Sequence, residues 1–179
     1  MNTIMRNAAG TPLGLDHVTR LVESVADPEM PFLSLHDLGV IRDIRSDEDS
    51  SEVVVTITPT YAGCPAMKTI RDDIERTLLD DGIAAVRIET QLQPAWSTDW
   101  ITDAGRRALA EHGYSTPGAA PVVAAGPIPL TLIPRPRRLT CPRCGSGAVE
   151  QISEFGATLC KAAYRCADCR EPFEHIKEI

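Results

Sequence analysis

The chain has 179 residues, 18 basic and 25 acidic side chains, a net charge of −7 and 43% hydrophobic residues. That apolar content supports a packed core and excludes a wholly disordered chain. Aromatics make up only 4%, and the acidic balance argues against a nucleic-acid binder, whose phosphate affinity needs clustered Lys and Arg.

Leu15, Val18, Leu21, Val22 and Val25 recur at helical spacing, which predicts an amphipathic helix over about 14–25. Asp27-Pro28 ends it, because proline disfavours the helical state in the residue before it. Residues 25–39 then read as a structured loop rich in carboxylates, followed by a strand over 40–45, a polar turn over 46–51 and a second strand over 52–58. Pro65 suits the first turn of a helix whose stripe is Met67, Ile70, Ile74 and Leu78, and Gly82 stops it after Asp80. A third strand covers 85–90, a loop 93–98, and a last helix 102–112 with Gly113 as its C-terminal cap. The order α-β-β-α-β-α predicts an α+β fold, a small mixed β-sheet packed with helices.

Composition then changes. Residues 1–117 carry 10 basic and 19 acidic side chains, whereas residues 118–179 carry 8 and 6. Six of the 14 prolines (Pro117, Pro121, Pro127, Pro129, Pro134 and Pro136) crowd the same boundary. We therefore expect a first domain over 1–114, a Pro-rich linker over 115–139 and a small cysteine-bearing β domain over 140–179. The uncharged run 115–134 has the length of a membrane span, but its prolines would break the helix, so an extended linker is expected and no membrane partner. The N-terminus shows no apolar run of signal-peptide length, so the expected compartment is cytoplasmic and the cysteines reduced.

The strongest motif lies at the end of the chain. Cys141-x-x-Cys144 and Cys166-x-x-Cys169 are two thiol pairs, each on a spacer that lets both sulfurs of one tight turn point at a single ion. A hairpin between them would bring the pairs together as a zinc-ribbon-like module. Four thiolates suit zinc, and they also suit mononuclear iron or an iron–sulfur cluster. Cys160 stands an even number of residues from Cys166, so two readings stand: an extra ligand, or a buried small hydrophobe. Lys161 beside it would favour a thiolate. Arg135, Arg137 and Arg138 precede the module as a solvated hinge or a docking patch.

In the first domain, Cys64-Pro65 falls between a strand and a helix N-terminus, where the helix dipole stabilises a thiolate. Cys64 is thus a nucleophile, a metal ligand or a packed core thiol. Asp27, Glu29 and Asp37 are candidate hard ligands beside it, and Asp27 and Asp37 are equally candidates to satisfy backbone N–H groups of a proline-bent loop. His17 and His36 read as surface or capping residues, with no partner motif for cysteine hydrolysis.

Three loop motifs, Asp27-Pro-Glu-Met-Pro, Leu35-His-Asp-Leu-Gly and Thr58-Pro-Thr-Tyr-Ala-Gly-Cys-Pro, together with Pro94-Ala-Trp-Ser-Thr-Asp-Trp and Gly105-Arg, resemble a SufT-like iron–sulfur maturation domain. Adding Cys141-Pro-Arg-Cys-Gly-Ser, Phe155-Gly-Ala-Thr-Leu-Cys-Lys and Tyr164-Arg-Cys-Ala-Asp-Cys-Arg-Glu-Pro-Phe, the whole resembles the PaaD family of accessory proteins of the bacterial phenylacetyl-CoA epoxidase. The resemblance covers residues 13–113 and 141–177. It implies a role in aerobic phenylacetate degradation beside oxygenase and reductase subunits of the epoxidase system, without an oxygenase active site of its own. By the same resemblance Cys64, with Asp27 as companion, is the metal-transfer candidate, and Cys141, Cys144, Cys166 and Cys169 are metal ligands; the four-thiolate pattern, with no sign of redox tuning, favours zinc there over iron or an iron–sulfur cluster.

Overall fold

The computed structural model describes residues 5–6, 12–47, 52–120 and 139–179. Residues 48–51 of the expected polar turn, most of the Pro-rich stretch (121–138) and with it Arg135, Arg137 and Arg138 lie outside the described residues. Two compact units form, one of Met1–Trp96 with Trp100–Ala108, the other of Ser97–Asp99 with Leu109–Ile179.

The first unit opens with a short ribbon of β1 (Met5–Arg6) and β2 (Pro12–Leu13), which the sequence pattern did not indicate. Helix α1 (Leu15–Glu23) buries Val18 and Val22. Strand β3 (Ile41–Ser46) pairs antiparallel with β4 (Val53–Ile57), and β4 pairs parallel with β5 (Val86–Thr90) after the chain crosses over through α2 (Met67–Asp80). The result is a three-stranded mixed sheet in the order β3-β4-β5, as the α-β-β-α-β pattern predicts. Ile70, Ile74 and Leu78 recur every four residues and form the buried stripe of α2. Burying each such side chain contributes about 1.5–3 kcal/mol.

Every residue of β4 is buried, because the strand is central and both faces are covered. Register puts Ile44, Val55 and Ile88 side by side on one face, and Arg45, Val54 and Arg87 on the other. On that second face the charged side chains reach across the central strand. Arg45 donates to Glu89 at 2.7 Å and to the Thr56 hydroxyl at 3.2 Å, and Arg87 donates to Glu52 at 2.8 Å. Their aliphatic stems cover Val54 while the heads stay wet.

After β5 the chain turns through the cis bond Gln93–Pro94 and a 3-10 turn at Thr98–Trp100 before α3 (Asp103–Glu111). Gly113 follows at φ +81°, the left-handed stop expected of a C-terminal cap.

The second unit is built on an antiparallel sheet of β6 (Val149–Ser153), β7 (Lys161–Cys166) and β8 (Pro172–Ile176). The expected hairpin is β6–β7, and β8 is an addition that the cysteine spacing did not reveal. Its core is Leu139, Cys141, Ala162, Tyr164, Cys166 and Phe173, with the Tyr164 and Phe173 rings stacked at 5.9 Å. Ser115 forms a parallel bridge to His175, so this part of the Pro-rich stretch lies along the outer edge of β8.

Candidate metal centre and thiol loops

Two turns of matching design carry the four cysteines. In the first, the Gly145 N–H donates to the Cys141 carbonyl at 2.9 Å and the Cys141 N–H to Ser146 O at 2.8 Å. In the second, the Cys166 N–H donates to Glu171 O at 3.0 Å. The residue after the second cysteine is left-handed in both, Gly145 at φ +73° and Arg170 at φ +63°. A left-handed arginine is uncommon and costs on the order of 1–2 kcal/mol, so tertiary contacts must hold it there. The β6–β7 register sets Val149 opposite Cys166, and the Ala167 N–H donates to Ala148 O at 2.7 Å, which closes one turn on the other.

The four sulfurs lie within 4.8 Å of one another, with Cys141–Cys169 and Cys144–Cys166 each 3.6 Å apart. A disulfide requires about 2.05 Å, so none is present. A tetrahedral ion with metal–sulfur bonds of about 2.3 Å sets its thiolates about 3.8 Å apart, and the observed spacing fits that ion without rearrangement. When bound, such an ion clamps the two turns together. Crowding shows in the thiols themselves. Cys166 is lowered to about 7, first by the Cys169 backbone N–H and also by that of Asp168, against the cost of burial. For Cys169 the Glu171 backbone N–H pulls downward most strongly, but burial and the thiols of Cys144, Cys166 and Cys141 outweigh it and push the group up to about 12. The Cys166 sulfur thus ionises readily while that of Cys169 resists adding charge.

Cys160 is not part of this set. It sits just before Lys161, the first residue of β7, whereas Cys166 is the last, so a strand length of about 20 Å separates them. Even spacing does place two residues on one face of a strand, but here at opposite ends of it. Among the described residues the clustered sulfurs are those of Cys141, Cys144, Cys166 and Cys169. The Cys160 sulfur lies 3.0 Å from the Thr158 hydroxyl. The buried Lys161 ammonium faces Glu174 at 3.8 Å and the Tyr114 ring at 5.4 Å.

In the first unit, β4 and β5 run parallel, so the loops after Ile57 and Thr90 leave the same end of the sheet. Ile41 pairs with Ile57, so the loop entering β3 arrives at that end too. Strand topology therefore gathers the loop of Asp27 and Asp37, the loop of Cys64 and the loop of Trp96 at the carboxyl end of the parallel pair, where α/β folds commonly place ligands. Hydrogen bonds lace them together. The Thr58 N–H donates to Val40 O at 2.9 Å, the Gln91 N–H to Ile57 O at 2.8 Å and the Trp96 indole to Leu38 O at 3.0 Å.

Cys64 is half-buried, in a turn where the Met67 N–H donates to its carbonyl at 3.3 Å and opens α2. Pro65 and Ala66 stand in the turn that this bond closes, directly before Met67, the first residue of α2. Asp27 is buried, and its Oδ1 accepts the N–H groups of Glu29 at 2.9 Å and Met30 at 2.8 Å. The Asp37 carboxylate accepts the hydroxyls of Ser34 and Thr102. Both aspartates thus hold loops, the role weighed against direct ligation. His17 meets Asp81 at 2.7 Å and His36 meets Glu23 at 3.3 Å, surface pairings as expected. Sequence reasoning singled out neither Thr102 nor His175. Each acts across more than fifty positions, and no local pattern signals such a contact.

Comparison with known proteins bears on both units. The family described as "PaaD zinc beta ribbon domain" matches residues 128–177, which hold all four clustered cysteines. The family described as "Iron-sulfur cluster assembly protein" matches residues 15–89, which hold Asp27, Asp37 and Cys64. A protein of Escherichia coli (strain K12), named for a place among the subunits of 1,2-phenylacetyl-CoA epoxidase, is 38% identical over 176 residues, covering 98% of this chain and 100% of its own. The chain belongs to the PaaD family. One half of the PaaD layout also occurs elsewhere. The Bacillus subtilis (strain 168) "Fe-S protein maturation auxiliary factor YitW" is 30% identical over 88 residues, 49% of this chain and 81% of its own. Among solved structures, a "Domain of Unknown Function DUF59" from Bacillus anthracis covers 53% of this chain and 90% of its own, at 26% identity and a TM-score of 0.48. A conserved hypothetical protein from Thermotoga maritima covers 53% of this chain and 92% of its own, at 27% identity and a TM-score of 0.45. Among the described residues no helix is long and apolar enough to cross a membrane.

Proposed function

We propose that this PaaD-family chain is a non-catalytic accessory factor of the phenylacetyl-CoA epoxidase system in phenylacetate catabolism, and that it helps assemble iron or iron–sulfur centres of the oxygenase or reductase subunits. In this reading residues 1–114 form the maturation domain, 115–139 a linker and 140–179 a metal-holding module. The observation that carries it is the placement of Cys64 on a half-buried turn at the carboxyl end of the β4–β5 pair, in a segment matching an iron–sulfur assembly family. A transfer site needs a ligand that binds metal and lets it go, and one thiol beside carboxylate-rich loops meets that need better than four closed thiolates. The iron is then cargo, received and released at Cys64 with Asp27 shaping the loop. The C-terminal cluster holds zinc as a fixed structural ion, in line with its single-ion spacing.

The test is Cys64→Ala in cells that depend on the epoxidase. Epoxidase activity should fall by at least about tenfold, a barrier change near 1.4 kcal/mol, while the protein keeps its level and melting temperature. Full activity would remove Cys64 from the reading. Metal analysis should give one zinc per chain and no acid-labile sulfide. A second reading, a stoichiometric component of the epoxidase, is favoured by the similarity to the Escherichia coli protein along its whole length. Co-elution with the oxygenase at a fixed ratio through salt and dilution would select it.

A further inference from the structure

The four clustered sulfurs are met by backbone amides as well as by one another. The Ser146 N–H donates to the Cys144 sulfur, the Cys169 and Asp168 N–H groups donate to the Cys166 sulfur, and the Glu171 N–H donates to the Cys169 sulfur. Such bonds fix where a sulfur's lone pairs point, and so where a ligand set meets its ion. Two of the donors stand on opposite turns, Ser146 just past the first cysteine pair and Asp168 within the second.

The same two residues are joined through their side chains. The Ser146 hydroxyl donates to Asp168 Oδ2 across 22 positions. A carboxylate only accepts, so the direction of that bond is set. The hydroxyl oxygen in turn accepts the Ala148 N–H at 3.0 Å, which leaves its proton for Asp168. The Ala167 N–H donates to Ala148 O at 2.7 Å. A closed circuit results, from Ser146 to Asp168, along the chain to Ala167, across to Ala148 and back to Ser146. An isolated hydrogen bond at the surface contributes little, whereas one that closes a ring holds both turns in register.

The Arg143–Glu171 ion pair spans the same gap, but its side chains are exposed and salt screens them. We propose that Ser146 and Asp168 form a positioning bridge of the metal centre, which holds the amides facing Cys144 and Cys166 in place on either side of the ion and so slows its escape. This role rests on the single-ion reading of the four sulfurs and is independent of any transfer at Cys64.

The experiment uses the full chain loaded with cadmium, a soft ion that suits four thiolates and whose nuclear spin NMR detects. In the parent, the Ser146 and Asp168 amide protons should show scalar coupling to the ion through the N–H···S bonds. Ser146→Ala and Asp168→Ala should each weaken those couplings and release cadmium to excess chelator about tenfold faster. Asp168→Asn, which keeps an acceptor oxygen, should release it near the parent's rate. In the double alanine variant the two effects should not add, because either change alone already opens the same bond. Release at the parent's rate in either alanine variant, unchanged couplings, or a double variant faster by the product of the single effects would each overturn the bridge. So would an Asp168→Asn rate equal to that of Asp168→Ala. A parent chain that binds no cadmium would overturn the single-ion reading and the bridge together, which tells the two failures apart.

Discussion

The Asp37 carboxylate accepts the hydroxyl of Thr102, 65 positions away, while its other oxygen takes the Ser34 hydroxyl at 2.9 Å. The Thr102 N–H returns a bond to the Asp37 carbonyl at 3.0 Å, and Gly105 lies so close that an added Cβ would stand 2.6 Å from the same oxygen. A residue read as a candidate hard ligand is thus a tie between the loop before β3 and the start of α3.

Asp37→Ala should therefore act on stability and leave metal alone. Two hydroxyl donors lose their acceptor, which costs about 2–3 kcal/mol. Urea unfolding should show this loss with bound zinc per chain unchanged, and Asp37→Asn, which keeps one acceptor oxygen, should lose less.

Gly39 is a second fixed point. Its φ of +74° is left-handed, and an added Cβ would lie 2.7 Å from both the Trp100 Cβ and the Trp100 carbonyl oxygen. Both objections act at once, so Gly39→Ala should cost about 2–4 kcal/mol. A melting temperature within two degrees of the parent would show that the loop can back away from Trp100.

Asp27 separates shape from charge. Its Oδ1 accepts two backbone N–H groups, and an asparagine carbonyl can accept the same pair. Asp27→Asn should stay within about 1 kcal/mol of the parent, whereas Asp27→Ala should lose about 2 kcal/mol. If the carboxylate charge serves metal transfer, epoxidase activity falls in both variants. If Asp27 only shapes the loop, activity follows stability and Asp27→Asn is active.

The four-cysteine site carries its own pH dependence. A thiol depressed to about 7, as Cys166 is, supplies its thiolate above that pH and loses it as pH falls through it. Cys169, held up to about 12 without an ion, must give up its proton on binding. Apparent zinc affinity should then fall by at least about tenfold per unit of acidification below neutrality, measured against a competing chelator. Cys166→Ser should abolish tight binding and strip exchange protection from β6 and β7.

Much of this was legible in the chain itself. The stripe Ile70, Ile74 and Leu78 announces α2, the alternation in 53–57 announces β4, and the two x-x-spaced cysteine pairs announce the cluster, because each signal repeats within one element. What the sequence did not display depends on distant partners. β8 reads as a tail until Ala162 is known to pair with His175, and Asp37 reads as a ligand until Thr102 is known to reach it. Residue parity fixes which face of a strand Cys160 shares with Cys166 and says nothing of its height along the strand.

The separation of Cys64 and Cys160 from the other four cysteines makes the protein its own metal gauge. All six thiols are reduced, and four of them converge on one point. A thiol-specific reagent should label two positions when the cluster is filled and six once a chelator has emptied it. Mass spectrometry of the labelled chain would then report occupancy molecule by molecule.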